Sequence, residues 1–199
     1  FFSGAAPLTG PHVEERGLLS YADRALMKAA SLGVKTAVLG SGAARRVPEG
    51  FSKEAAFEQM ADITYKLGET AKPYGITIVI EPLNRTETNF IHSGEEGLAL
   101  MRRVGHPNVG ILLDYYHMCV EKEDLAVVAK AARSGRLCHV HISSPTRYFP
   151  RGKEAEACIP FFAALKKAGY DGRMSAECYG DPFADDWNSE ILRQALARA

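Results

Sequence analysis

Much of what usually announces a function is missing from this chain of 199 residues. Its charges cancel, 24 Lys and Arg against 24 Asp and Glu, so no overall field draws it toward nucleic acid or an anionic lipid surface. No apolar stretch approaches the roughly 18–20 residues that a membrane-spanning helix needs. No G-x-G-x-x-G, G-x-x-x-x-G-K-[ST] or H-E-x-x-H occurs, so the familiar dinucleotide, nucleotide-phosphate and zinc-protease signatures are absent. Cys119, Cys138, Cys158 and Cys178 form no C-x-x-C pair. They read as reduced thiols, with Cys138 and Cys178 expected on buried strands, where a thiol packs as a small hydrophobe. No basic-then-apolar leader opens the sequence, and with reduced thiols the expectation is a cytoplasmic protein.

What is present is a repeated local pattern. Hydrophobic residues make up 46% of the chain, enough for one core, and residues 1–199 are read as a single domain. An amphipathic helical segment, a glycine and a β-rich apolar run recur at Gly33, Gly75, Gly105, Gly135 and Gly169. By subtraction these glycines lie 42, 30, 30 and 34 residues apart, the size of one strand-plus-helix unit. Ser93 with Glu96 forms a capping box, and residues 55–71, 123–133 and 156–168 carry helix-period apolar positions. The strands are short and continuously apolar, as in a parallel sheet covered on both faces.

Alternating units of this kind mean an α/β fold, either an open doubly wound sheet or a (β/α)8 TIM barrel. Four successive runs decide between them. ITIVIE ends in Glu81, VGILLD in Asp114, LCHVH in His141 and RMSAE in Glu177. An open sheet gathers ligands at one crevice, whereas a barrel brings the ends of many consecutive strands to one axis. The barrel is the expectation. Five strands are clear, with FFSGA at the start as the tail of a sixth. A barrel of this type needs about 250 residues. The sequence is therefore read as incomplete at its N-terminus, with about six of eight units present and a first residue that is Phe rather than Met. An open parallel edge would need a cover, so a homo-oligomer is expected.

Three carboxylates and one imidazole suit a hard divalent ion. On LCHVHIS, His139 and His141 share one face, and the later one lies nearer the strand's carboxyl end. His141 is therefore the expected ligand, with His139 deeper. D-x-x-H places His117 in the loop after Asp114, within reach of the same pocket. Arg147 opens a basic loop with Arg151 and Lys153, where a guanidinium would suit hydroxyls or a phosphate. Two carboxylates beside one Lewis acid can act as base and acid on opposite faces of a substrate, which fits enolising chemistry on an α-hydroxy ketone.

The motifs EPLNRTE (Glu81–Glu87), DYYHM (Asp114–Met118), HVHISSPTR (His139–Arg147) and the strand-end Glu177 resemble the xylose-isomerase-like sugar isomerase and epimerase superfamily. Within it the ketose 3-epimerases related to tagatose and psicose epimerases are nearest. The resemblance runs over about residues 1–190. It implies a Mn²⁺, Mg²⁺ or Co²⁺ site, with Zn²⁺ a further candidate, made by Glu81, Asp114, His141 and Glu177. It also implies that Glu81 and Glu177 form the acid/base pair working through a cis-enediolate, and that Glu87, His117 and Arg147 contact the substrate. The segment YFPRGKEAEACIP after Arg147 differs from the Gly-Arg-Gly-rich loop of the well-known epimerases.

The expected function is therefore a metal-dependent isomerase of carbohydrate metabolism acting on a small sugar. The alternatives are a hydroxypyruvate- or inosose-type enzyme of the same superfamily, or a truncated, non-catalytic barrel. A DNA-repair endonuclease on this barrel would need a zinc cluster and more histidine than the six present, none of them in residues 142–199. With zero net charge besides, no nucleic-acid or membrane partner is expected.

Overall fold

Every junction glycine named above has positive φ, between 62° and 78°, so each ends a helical segment in the left-handed conformation open to a residue without Cβ. The computed structural model describes residue 2, residues 6–180 and residues 189–199. Of FFSGA only Phe2 is among them, so the expected sixth strand lies outside the described residues. Contacts divide the chain into two units, residues 1–112 and 113–199.

The first unit contains α1 (Glu15–Ser31), β1 (Thr36–Leu39), α2 (Lys53–Ala71), β2 (Thr77–Ile80), α3 (Gly94–Val104) and most of β3 (Val109–Asp114). β1 pairs in parallel with β2, Leu39 opposite Ile80, and β2 pairs in parallel with β3, Ile80 opposite Ile111. Ile78, Val79, Ile80, Ile111 and Leu112 are all essentially buried, as continuous apolar runs in a covered parallel sheet should be. Ser52 caps α2 and Ser93 caps α3 through their hydroxyls. The capping box closes one residue early, because the Glu96 carboxylate accepts from the His92 N–H.

The second unit contains α4 (Tyr115–Glu121), α5 (Ala126–Arg133), β4 (Leu137–Ile142), α6 (Lys153–Ala157), α7 (Ile159–Lys167), β5 (Met174–Ala176) and α8 (Ser189–Arg198). β4 and β5 pair in parallel, His141 opposite Ser175. Three sequence expectations change here. His117 lies on α4 rather than in a loop, because the Asp114 carboxylate caps a helix that starts at once. The helix expected over 156–168 is two helices, with Pro160 in the first turn of α7, where its missing N–H is tolerated. The helix expected from 123 begins at Ala126. Cys138 and Cys178 are half-buried, and Cys158 is the buried thiol.

Phe161, fully buried on α7, stacks on Tyr115 at 4.9 Å, and the Tyr115 hydroxyl donates to the Ala157 carbonyl at 2.6 Å. This packing fixes the residue that follows Asp114. Truncation Phe161→Ala should destabilise the protein by about 3–5 kcal/mol. Urea unfolding, with the slope unchanged from wild type, measures it.

Candidate metal centre

The second unit brings three strand-end donors together. Asp114 closes β3 and is 2% exposed. Its Oδ1 accepts from the Tyr116 N–H at 2.8 Å, while its Oδ2 faces inward. His141, on β4, places Nδ1 3.8 Å from Asp114 Oδ2 and 3.2 Å from Glu177 Oε2. Glu177 follows β5, and its backbone N–H donates to the Ile142 carbonyl, which continues the strand register to this side chain.

Two carboxylates this close need positive charge between them, and Arg147 supplies it. Its Nη1 lies 3.2 Å from Asp114 Oδ2, and its Nη2 donates to Glu177 Oε2 at 2.7 Å. Nη1 is also 3.3 Å from His117 Nε2. A guanidinium only donates, so His117 accepts there and carries its own proton on Nδ1. The Tyr116 ring lies under the guanidinium, 4.4 Å from its carbon. Arg147 has φ 67°, and its loop is held by Arg147 N–H to the Ser144 carbonyl and by Tyr179 N–H to the Arg147 carbonyl. Arg147 is thus buried, with its charge turned into the cluster rather than out to solvent.

These donors fit a divalent ion. Asp114 Oδ2 and Glu177 Oε2, two hard oxygens, each lie within 4 Å of the imidazole nitrogen His141 Nδ1. In the structure the cationic role beside the two carboxylates falls to Arg147. An ion held through His141 Nδ1 would need that nitrogen free of a proton. His139, deeper on β4, hydrogen-bonds Ser175 on β5 at 2.9 Å, as expected of a supporting histidine.

In the first unit, Glu81 follows β2 and is 4% exposed. Its carboxylate occupies the space above Gly40 at the end of β1. A Cβ built on Gly40 would come 1.9 Å from Glu81 Oε2 and 3.0 Å from its carboxyl carbon. Only glycine leaves that place open. Glu87 is exposed and accepts from Asn84 Nδ2 at 3.2 Å. A cavity of about 460 Å³ in the same unit is lined by Phe57, Phe90, Ile91 and His92 among others, and none of the candidate residues lines it.

Cys178, beside Glu177, is no nucleophile at neutral pH: burial pushes its thiol up to about 11. Sequence reasoning missed Tyr116 beneath Arg147, and it missed Gly40. For Gly40 a signal existed, the two glycines of LGSG directly after a strand.

Comparison with known proteins gives the family. The profile of the family described as "Xylose isomerase-like TIM barrel" matches residues 2–198, and the chain belongs to that family. It is 39% identical to the L-ribulose 3-epimerase of Methylomonas sp. (strain DH-1) over 128 residues, which is 64% of this chain and 44% of that protein. It is 34% identical to a ketose 3-epimerase of Arthrobacter globiformis over 115 residues, 57% of this chain and 39% of that protein. The crystal structure of the His-tagged D-allulose 3-epimerase from Methylomonas sp. superimposes with a TM-score of 0.72 at 30% identity, covering 96% of this chain and 66% of that one. The chain therefore spans less than half the length of these curated relatives.

The Glu177 carboxyl is held down to about 2 from 4.5, first by the His141 hydrogen bond and then by the His141 and Arg147 charges, against desolvation. A depressed carboxylate stabilises the fold fully above its unfolded value and loses that contribution as pH falls through the folded one. In chelator-treated protein, stability should therefore drop between pH 4.5 and 2 more steeply in wild type than in Glu177→Gln. Urea midpoints measured across that range check it. Parallel curves would remove the cluster's role.

Proposed function

We propose that this chain carries the metal-binding and acid/base part of a divalent-metal-dependent sugar epimerase or isomerase acting on a ketose. The observation that carries the reading is the convergence of Asp114, His141 and Glu177 from the ends of successive strands, with donor atoms within 4.8 Å of one another. Strand ends on one face are where barrels of this fold hold their chemistry. Glu81 closes β2 as Asp114 closes β3, and we assign it as the fourth ligand. Relatives named as ketose 3-epimerases support the substrate class.

The ion expected is Mn²⁺, Mg²⁺ or Co²⁺, because oxygen donors outnumber nitrogen and no thiolate is in the assigned set. Bound there, it supplies Lewis acidity to a carbonyl and its neighbouring hydroxyl, making the carbon-bound proton between them removable. Glu81 and Glu177 take the two proton-transfer roles, one removing that proton and the other returning one on the opposite face. A Glu177 held ionised is in the form that accepts a proton. Arg147 and His117, already in contact beside Asp114 and Glu177, are assigned to orient substrate oxygens. Glu87 is assigned to a hydroxyl of the sugar.

Metal content of the purified protein, followed by proton–deuterium exchange at the carbon beside a ketose carbonyl, tests this. The expected result is one divalent ion per chain and exchange that stops in chelator and returns with Mn²⁺. The panel should hold free ketoses, phosphorylated ketoses and keto-acids. A bound ion with no exchange on any of them would leave a structural metal and no epimerase.

Glycine at position 40 gives a second test. Gly40→Ala should displace the Glu81 carboxylate, a flexible group that can swing aside at a cost of about 1 kcal/mol. Metal affinity should then fall about tenfold or more while unfolding changes little. Titration calorimetry with Mn²⁺ beside urea unfolding separates the two effects. Unchanged affinity would take Glu81 out of the ligand set.

A further inference from the structure

Arg45 stands apart from every group used so far. It is 0% exposed, and its Nε, Nη1 and Nη2 have no hydrogen-bond partner among the described residues. Buried arginine side chains normally fill their five donors with carboxylates, carbonyls or water, because an unpaired buried charge is among the most expensive features a fold can keep. Lysine could shed its proton in such a place, but arginine stays charged. The loop that carries Arg45 is nevertheless firmly built. Arg45 N–H donates to the Ser41 carbonyl, and the Thr9 hydroxyl reaches the Arg45 and Arg46 carbonyls.

The position of that loop matters. It follows β1 and is stitched to the loop that follows Glu81. The Thr88 hydroxyl donates to the Gly42 carbonyl, Arg46 Nη2 donates to the Glu87 carbonyl, and Val47 exchanges two hydrogen bonds with the Asn89 side chain. Arg45 therefore belongs to the carboxyl-end side of β1 and β2, the side where this fold places ligands. The carboxylates whose charge acts on it are Glu81, Glu87 and Glu96, in that order. Even with Glu81 given to the ion, Glu87 and Glu96 outnumber the one positive charge of Arg45, which disfavours an anionic ligand and leaves room for an uncharged one with acceptor oxygens.

We propose that Arg45 is a substrate-binding residue whose guanidinium donates to oxygen atoms of an unphosphorylated sugar. The inference rests on the sugar-epimerase reading and narrows it to uncharged ketoses. It accounts for a cost that the described residues leave unexplained: they do not fill the donors because the ligand does.

The test uses Arg45→Met, close in length and apolar, in the full-length, Mn²⁺-loaded chain. Without sugar, the variant should melt about 2 °C or more above wild type, since an orphaned charge has been removed. With a free ketose, its KM should rise about tenfold or more while kcat changes far less, the mark of binding lost equally in ground and transition states. A lower melting temperature would mean that the protein already satisfies the guanidinium, and an unchanged KM would mean that the sugar does not use it. Either result overturns the proposal. If wild type turns over no ketose, the epimerase reading fails by itself and Arg45 is judged by thermal shift. Stabilisation of wild type by free ketohexoses or ketopentoses, absent in Arg45→Met, supports it. No shift, or a larger one with inorganic phosphate, overturns it.

Discussion

Asp114 and Glu177 present carboxylate oxygens to the same small space, and the guanidinium of Arg147 lies against both. This three-body contact is the constraint around which the second unit is organised. Arg147 is held on one side by the Tyr116 ring and on another by His117, and its backbone takes a left-handed conformation, unusual for a residue with a side chain, to reach that point. The energetic logic is plain. Buried like charges repel by several kcal/mol unless a cation sits between them. Here that cation is the resident guanidinium of Arg147, paired with both carboxylates.

The two units use the parallel-strand plan in the same way. A short strand, buried in β2 and β3 and part-exposed in β5, carries the chain through the sheet, and a donor stands at its end. Glu81 after β2, Asp114 at the end of β3 and Glu177 after β5 all follow this rule. The interiors of β2 and β3 leave little choice of residue, because both faces are covered. The end does leave one, and there the chain spends its polar residues. Family membership and strand-end chemistry point the same way, although the fold alone would be compatible with many activities.

Much of this was legible in the residues themselves. Gly33, Gly75, Gly105, Gly135 and Gly169 marked the helix stops because only one residue type takes that conformation freely. The apolar runs marked five strands because their composition has no other stable use. The donors were legible because they terminate those runs. What could not be read was set by tertiary contact. Nothing in PTRYFP distinguishes a solvated arginine from one drawn into a cluster 33 residues away in sequence. The helix α4 was hidden because DYYHMCVE lacks a clear period, and its start depends on Asp114 turning one oxygen back to the chain. Gly40 was visible as a glycine, but its reason lies on the neighbouring strand.

That divided carboxylate bears on how Asp114 would hold an ion. With Oδ1 accepting from the Tyr116 peptide, Oδ2 would be its coordinating atom, a single-point grip rather than a chelate. Such a grip would leave one more coordination place for an oxygen brought in by another molecule.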